Sequence, residues 1–376
     1  MNIFVMSLEP IDTRYTGQWF EGLLVEIENA ARAKGLSVTD RYANVFGDDH
    51  FKEVTVAGVP GELRVLSGEV TPGAFLNFTE TNLWKNEQMH TLTEYFRDGI
   101  VKPGDKVLFP DAWHPGVIQT KYMSELLDIP VEIHSMWHAG SYDPQDFLGR
   151  KVKDKRWSLA FEKSAFFASD FNYFATQFHA DMFSETVLER DLGFPDDPRI
   201  VISGQPHASL VAALEPFRGR AKKRQILFPH RVAPEKQPEI FLDLKARMPD
   251  VNFVVAQDTK LTKDEYHTLL AESALIFSAN LQETLGISAM EAILVDSVPY
   301  LPKRLSYREM YQEDFLYPSG WTLDGARYEQ FRDRMIADLY ERLDNLDRFQ
   351  EVVQYQRQTL LKDYLSCQPM LDRLLG

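Results

Sequence analysis

The run "FSANLQETLGISAMEAILVDSVPYLP", residues 277–302, decides how the chain is read. It gives the end of an apolar strand, a tight turn, an apolar helix opening at Gly286 and a second strand. Two acids interrupt it. Glu283 stands in the turn and Glu291 eight positions on, inside the helix. A carboxylate in such surroundings costs free energy unless something pairs with it. A helix opening leaves N–H groups without intrahelical partners and a partial positive charge, so it attracts anions. Glu283 is therefore either a capping acid or a group that accepts hydrogen bonds from the hydroxyls of a ligand whose phosphates rest on those N–H groups. Glu291 lies about two turns further on, rotated by roughly 80°. It is either a buried acid paired with a base or the contact for a second polyol, such as a ribose. Gly286 between them permits close backbone approach.

The same alternation extends in both directions. Strands are expected at 2–8, 106–110, 131–137, 171–177 and 199–204, then at 224–231, 251–257, 274–279 and 298–302. Several are continuously apolar, as parallel strands buried on both faces are. Amphipathic helices lie between them. "GQWFEGLLVEIENAARAKG" sets Trp19, Leu23, Ile27 and Ala30 on one face and stops at Gly35. Strands alternating with helices predict an α/β fold with parallel sheets. The pattern runs twice, with a break near 205–223. Two Rossmann-like domains facing a central cleft are expected, 1–205 and 220–350, with a C-terminal helix of about 355–376 packing back on the first. Ligands of such sheets bind at the carboxyl ends of the strands.

Bulk properties bound the function. A chain of 376 residues, 44% hydrophobic and 26% charged, can bury a large core. Its one cysteine, Cys367, excludes an internal disulfide and a Cys-rich metal site, which fits a cytoplasmic protein. The N-terminus lacks the pattern of a signal peptide, and no window is apolar enough to span a bilayer, so no membrane partner is expected. A net charge of −15 argues against a surface that coats nucleic acid in general. It leaves room for a local basic site, and "GRKVKDKRW" is the densest, with Arg150, Lys151, Lys153, Lys155 and Arg156 against Asp154. Its other reading is a solvated loop.

A second stretch turns the glutamates toward a ligand. "ILFPHRVAPEKQPEIFLDL" places Arg231 and Lys236 after the first strand of the second domain. An Arg with its fork of donors and a Lys as a point charge suit a diphosphate there. No Gly-x-Gly-x-x-Gly and no Walker-type loop is present, so dinucleotide and ATP-hydrolase readings are weak.

An Arg and a Lys after one strand, followed by E-x7-E opening a later helix, resemble the retaining glycosyltransferases of GT-B fold. Gly286, Glu291, Ala292 and Pro299 fit their pattern, while Thr284 replaces a frequent Gly and Asp296 the usual Gly. The resemblance implies a nucleotide-diphosphate sugar, such as a UDP- or GDP-sugar, as co-substrate and no metal. It places Arg231 and Lys236 on the diphosphate and Glu291 on the ribose. Glu283 and the backbone of Thr284, Leu285 and Gly286 then meet the sugar and phosphate. The segments "LEPIDTRYTGQWFEGL", "HAGSYDP", "NYFATQFHADMF", "FPHRVAPEKQPEIF" and "LPKRLSYREMYQEDFLY" together are similar to the tRNA-queuosine mannosyltransferase group. In function class the phage DNA glycosyltransferases stand beside that group. The implied acceptor is a hydroxyl on a nucleobase in DNA or tRNA.

The first domain supplies candidates for that acceptor. His138, past the strand 131–137, and Asp111, in "FPDAWHPG", are catalytic candidates with Glu283, and Asp111 is a possible general base. Trp113 and His114 line the same loop, and Arg14 and Tyr15 precede the first helix. With Arg150, Lys151, Lys153 and Lys155, these form the expected acceptor side. His134, inside the strand, reads as a satisfied core histidine. No nucleophile is named, because the resemblance implies front-face attack with the leaving phosphate taking the acceptor proton. The competing functions are transfer to a lipid or small molecule, and a module that binds nucleotide sugar or nucleic acid without turnover.

Overall fold

The computed structural model describes residues 1–9, 15–34, 38–40, 50–56, 59–66, 77–189 and 197–376, with backbone only at 15–19, 21, 38–40, 50–56 and 59–63. Its described residues form two compact units. The first comprises Met1–Ala175, Ala180–Ala208 and Ser366–Gly376, and the second Thr176–His179 and Ser209–Leu365.

The first unit is built on an eight-stranded sheet. Its strands are β1 (Ile3–Met6), β2 (Val38–Asp40), β3 (His50–Val56), β4 (Val59–Leu66), β5 (Lys106–Phe109), β6 (Glu132–Trp137), β7 (Phe171–Phe174) and β8 (Ile200–Ile202). They lie in the order β2-β3-β4-β1-β5-β6-β7-β8. From β4 to β8 all pairings are parallel, while β2 and β3 run antiparallel at one edge. The pleat of β1 shows why the run "IFVM" sits here. Ile3 and Val5 pack on one face with Leu23 and Ile27 of α1 (Tyr15–Ala33) and with Met370 and Leu374 of the last helix. Phe4 and Met6 pack on the other face with Met89 and Leu92 of α2 (Phe78–Arg97) and Val117 of α3 (Gly116–Leu126). Each such side chain contributes roughly 1.5–3 kcal/mol by its burial. A charge at Val5, which is fully buried, would break this packing. The remaining helices of the unit are α4 (Phe147–Lys151), α5 (Lys155–Ala168), α6 (Gln177–Thr186, beginning in the second unit's segment) and α7 (Ala208–Leu214, which runs into the second unit).

The second unit holds a five-stranded sheet whose pairings are all parallel. Its strands are β9 (Lys223–Phe228), β10 (Asn252–Val255), β11 (Ser273–Phe277), β12 (Val298–Pro302) and β13 (Leu316–Tyr317), in the order β10-β9-β11-β12-β13. Crossover helices α8 (Pro238–Arg247), α9 (Lys263–Glu272) and α10 (Ile287–Leu294) join the first four, and α11 (Tyr307–Met310) follows β12. Then come α12 (Gly325–Asp344) and α13 (Leu346–Asp363), before α14 (Gln368–Leu374) returns to the first unit.

All nine expected strands are present, some shorter by up to three residues at an end. The strands β2, β3, β4 and the two-residue β13 were not expected. Asp296, where the pattern has a Gly, explains that preference. It follows α10 in the left-handed region, with φ 61°. Its carboxylate accepts from Gln354 Nε2 at 2.8 Å, Gly219 N at 3.2 Å and Arg218 Nη2 at 3.3 Å, which offsets the strain.

One buried acid marks where the chain passes between units. Glu26 of α1 accepts the N–H of Ala208 at 2.8 Å and the thiol of Cys367 at 3.3 Å. Burial raises its pKa to about 7, against the lowering effect of those two bonds. Ala208 is the last residue of the first unit before the second, and Cys367 is the second residue after the return.

Candidate active site

In the second sheet, β9 has β10 on one side and β11 on the other, so the chain direction of winding switches between β9 and β11. Ligands of open α/β sheets bind outside the carboxyl ends of strands at that switch. The loops that leave those two ends carry five of the six residues expected to hold a donor, and the sixth, Glu291, follows in α10.

The loop after β9 turns at Pro234–Lys236 and enters α8 through Gln237 in the left-handed conformation. Arg231 Nη2 donates to the buried Glu235 Oε1 at 2.5 Å, which fixes one end of a guanidinium that is 41% exposed at its side chain. Lys236 is 6% exposed and donates to Glu283 Oε2 at 3.0 Å and to the Gln282 carbonyl at 2.8 Å. The acid and the cation singled out from separate stretches are thus one ion pair. Asn280 Nδ2 donates to the same Glu283 oxygen at 3.1 Å and lies 3.1 Å from Tyr307 Oη. The turn itself is clamped from behind. Gln237 Nε2 and Arg304 Nη2 both donate to the Ala279 carbonyl, at 2.6 Å and 2.7 Å, and Arg304 Nε donates to the Asn280 carbonyl at 2.7 Å.

Gly286 caps α10 at φ 82°. A Cβ there would stand 2.6 Å from the Tyr307 ring, so close packing and conformation both call for glycine. Leu285 is buried beside it, and the Thr284 carbonyl accepts from Thr176 Oγ1 at 3.0 Å. Glu291, half-buried, accepts from Tyr266 Oη at 2.9 Å. Burial lifts its pKa to about 7, in spite of the Tyr266 bond, which lowers it. Its partner is therefore a neutral hydroxyl, neither a base nor a cation, and Glu291 retains acceptor capacity. His230 is buried within hydrogen-bonding reach of Ser288, and burial together with the charge of Lys236 holds it well below the usual imidazole range. Asn280, Tyr307, Tyr266 and Arg304 were missed in the sequence. They act across the sheet, and only their later contacts single them out.

In the first unit the candidates gather after β5 and β6. Asp111 pairs with Lys85 at 3.2 Å and accepts the Trp113 N–H at 3.0 Å. Burial pushes its pKa up, but the Lys85 ammonium, helped by the Trp113 N–H, outweighs it and brings it to about 2. A carboxylate that weakly basic is a poor general base for a hydroxyl. His138 Nε2 donates to the Pro110 carbonyl at 2.6 Å, and its Nδ1 accepts from Gln205 Nε2 at 3.1 Å. Gln205 Oε1 in turn accepts from His207 at 3.1 Å. The His138 ring is oriented from both sides, with both nitrogens engaged. His114 is likewise committed inward, to Gln88 Oε1 at 3.1 Å and the Gly116 N–H at 2.9 Å, and burial holds it neutral with a pKa of about 3. It holds the 111–116 turn in place and offers no edge to an acceptor.

Trp113 donates its indole N–H to Glu162 at 2.7 Å. Lys155 also differs from expectation. Its ammonium turns inward onto the carbonyls of Ser141 and Gly149, at 2.8 Å and 2.5 Å, so it pins α4 to α5. Arg150 donates to the Gln145 carbonyl, while Lys151 and Lys153 point to solvent. His134 bonds Tyr173 and Glu132 at 2.7 Å and 2.8 Å, as a satisfied core histidine should. Arg14 lies outside the described residues, and Tyr15 opens α1 with only its backbone described. Among the described residues no three His, Cys, Asp or Glu side chains group as metal ligands, and no helix is long and apolar enough to cross a membrane.

No protein-family model matches the sequence, and no curated protein is significantly similar to it. Solved structures are. An α,α-trehalose-phosphate synthase (UDP-forming) from Burkholderia vietnamiensis superposes with a TM-score of 0.58 at 14% identity, over 99% of each chain. A trehalose-6-phosphate synthase studied for glycosyl transfer with retention gives 0.60 at 11%, over 99% of this chain and 98% of its own. The catalytic domain of starch synthase IV from Arabidopsis thaliana, bound to ADP and acarbose, gives 0.54 at 12%, over 99% and 97%. The fold is GT-B. At these identities the likeness concerns the fold, and the two parallel sheets correspond to its two halves.

Proposed function

We propose that the protein is a retaining glycosyltransferase that moves a sugar from a nucleotide-diphosphate sugar to a hydroxyl borne on a nucleobase. The observation that carries this reading is the Lys236–Glu283 ion pair, with Arg231 beside it, at the carboxyl ends of β9 and β11. An anion-binding cation, a sugar-binding carboxylate and the N-terminus of α10 are there built into one cluster. Arg231, Lys236 and the first N–H groups of α10 would hold the diphosphate and stabilise the charge it gains as the anomeric C–O bond breaks. Glu283, paired with Lys236 at 3.0 Å, would accept from sugar hydroxyls, and Glu291 from the ribose. The new bond joins the anomeric carbon to the acceptor oxygen, and the hydroxyl proton passes to the leaving phosphate. The low basicity of Asp111 and the engaged ring of His138 favour that route over a protein base.

The fold neighbours include a UDP-forming synthase and a synthase bound to ADP, so UDP-, GDP- and ADP-sugars all belong in the test. The nucleobase acceptor rests on the resemblance to the queuosine mannosyltransferase group and on the function class of the phage DNA enzymes. Nucleoside diphosphate release from each sugar is measured with and without tRNA or hydroxymethylated DNA, followed by mass spectrometry of the digested nucleosides. A hexose or pentose mass on one nucleoside is the expected result. No release and no binding of any nucleotide sugar at millimolar concentration would sink the reading. Release that depends on a lipid or a small hydroxylated acceptor alone would replace the acceptor.

A further inference from the structure

We propose that the start of α5, with the α4 segment before it, is a binding surface for single-stranded nucleic acid. Bases stack on Trp157 and on Phe78 with Phe147, and Lys151 and Lys153 meet the phosphates between them. This rests on the reading of the acceptor as nucleic acid and says how that acceptor would be held.

Three observations carry it. First, large aromatic rings stand in solvent. Trp157 is 54% exposed and Phe78 49%. Phe78 stacks on Phe147 with centroids 6.1 Å apart and an interplanar angle of 22°. Second, the cations lie in the chain between these rings. Phe147 opens α4, Trp157 is the third residue of α5, and residues 150–156 carry five basic side chains against Asp154. Arg156 is neutralised by Asp154, and Lys155 is turned inward, so Lys151 and Lys153 remain as exposed cations without an ion pair among the described residues. In a chain of net charge −15 this is a local reversal of sign. A neutral glycan would stack on the rings but has no use for the lysines, whereas a polyanion with flat bases uses both.

Third, the surface is rigid and joins the candidate acceptor loop. Lys155 ties the ends of α4 and α5 together through the carbonyls of Ser141 and Gly149. Trp157 meets Trp113 edge-on at 6.2 Å, and Phe161, one turn along α5, meets the same Trp113 at 5.3 Å. Trp113 is locked by its bond to Glu162, and its backbone N–H binds Asp111. A strand stacked on Trp157 is thus one ring away from the loop that carries Asp111.

The test is fluorescence anisotropy of a labelled 12-nucleotide single strand, as DNA and as RNA, titrated with the full chain without nucleotide sugar at several salt concentrations. Two phosphate contacts predict a log–log salt slope of about −1.4. Trp157→Ala is expected to weaken binding about 5- to 100-fold with the slope unchanged. Lys151→Glu/Lys153→Glu is expected to flatten the slope. Both variants alter exposed residues, and circular dichroism with a thermal midpoint checks their folding. Absence of binding by either strand overturns the proposal, as does binding indifferent to Trp157. Salt-independent, Trp157-dependent binding of a neutral maltooligosaccharide also overturns it and makes the occupant a glycan. Sugar-nucleotide turnover is read separately. Turnover without strand binding defeats this proposal and leaves the transferase reading standing, and strand binding without turnover does the reverse.

Discussion

Glu291→Gln is expected to make the protein more stable and a poorer binder of nucleotide at once. The carboxyl group of Glu291 has its pKa raised from 4.5 to about 7, chiefly by burial. In the unfolded chain it loses its proton above about pH 4.5, whereas in the folded protein it keeps it up to about pH 7. Folding stability contributed by this group is therefore complete below 4.5 and lost as pH rises through 7. At about 1.4 kcal/mol per unit, the ionised form costs the folded state at most about 3 kcal/mol. Glutamine removes that cost and can still accept from Tyr266. The variant should gain about 2–3 kcal/mol more over wild type at pH 8 than at pH 5, on the order of 5–10 °C in the melting of the second unit. Loss of a charged acceptor for a ribose hydroxyl should weaken nucleoside diphosphate binding roughly 10- to 100-fold. Calorimetric melting at the two pH values and titration calorimetry with UDP, GDP and ADP read the two effects. The variant is compared with wild type at each pH because His114 and His207, both held neutral with pKa values of about 3, make stability rise with pH in the same range. An equal gain at both pH values would refute the account of the buried carboxyl. A gain with unchanged nucleotide affinity would remove Glu291 from the ribose.

Other substitutions probe the remaining parts. Glu26→Gln should show the same pH-dependent gain, but in the melting of the first unit, and with Glu291→Gln the two gains should add because the sites lie in separate units. Lys236→Met should destabilise by about 2–4 kcal/mol by leaving Glu283 without its cation, and adding Glu283→Gln should restore part of the loss in urea unfolding. Both changes should abolish nucleotide-sugar turnover. Gly286→Ala, which combines a positive φ with a contact at 2.6 Å to Tyr307, should cost about 2–4 kcal/mol by the same measurement.

Much of the fold was legible because buried parallel strands write themselves as short unbroken apolar runs. "KVLF" and "SALIF" are wholly buried and were placed to within a residue or two. The strands β3 and β4 were missed for the converse reason. "HFKEVTV" and "VPGELRVL" mix charges and apolar residues, a pattern that β4 tolerates beside the antiparallel edge. In the site, Arg231, Lys236, Glu283 and Gly286 could be found because each is a chemically costly or permissive residue in a loop after a strand, and Glu291 because it is an acid inside an apolar helix. The charge balance around them could not. Nothing in the sequence tells that Lys155 turns inward while Lys153 does not, or that Lys85, distant in the chain, makes Asp111 a weak base. Those facts depend on which helix lies above which loop.

The bonds of Glu26 have a consequence for how the gene can be cut. The chain departs at Ala208 and comes back by Cys367, and one carboxylate reaches both. Apart from Thr176–His179, the whole second unit is one insert whose two seams sit side by side. Residues 209–365 therefore leave and rejoin the first unit at one place, and the contacts that an exchange of this stretch has to rebuild include those of Thr176, Gln177 and Phe178 with Thr284 and Glu309. The two units are separable at the level of DNA, with Glu26 as the clasp to be kept intact.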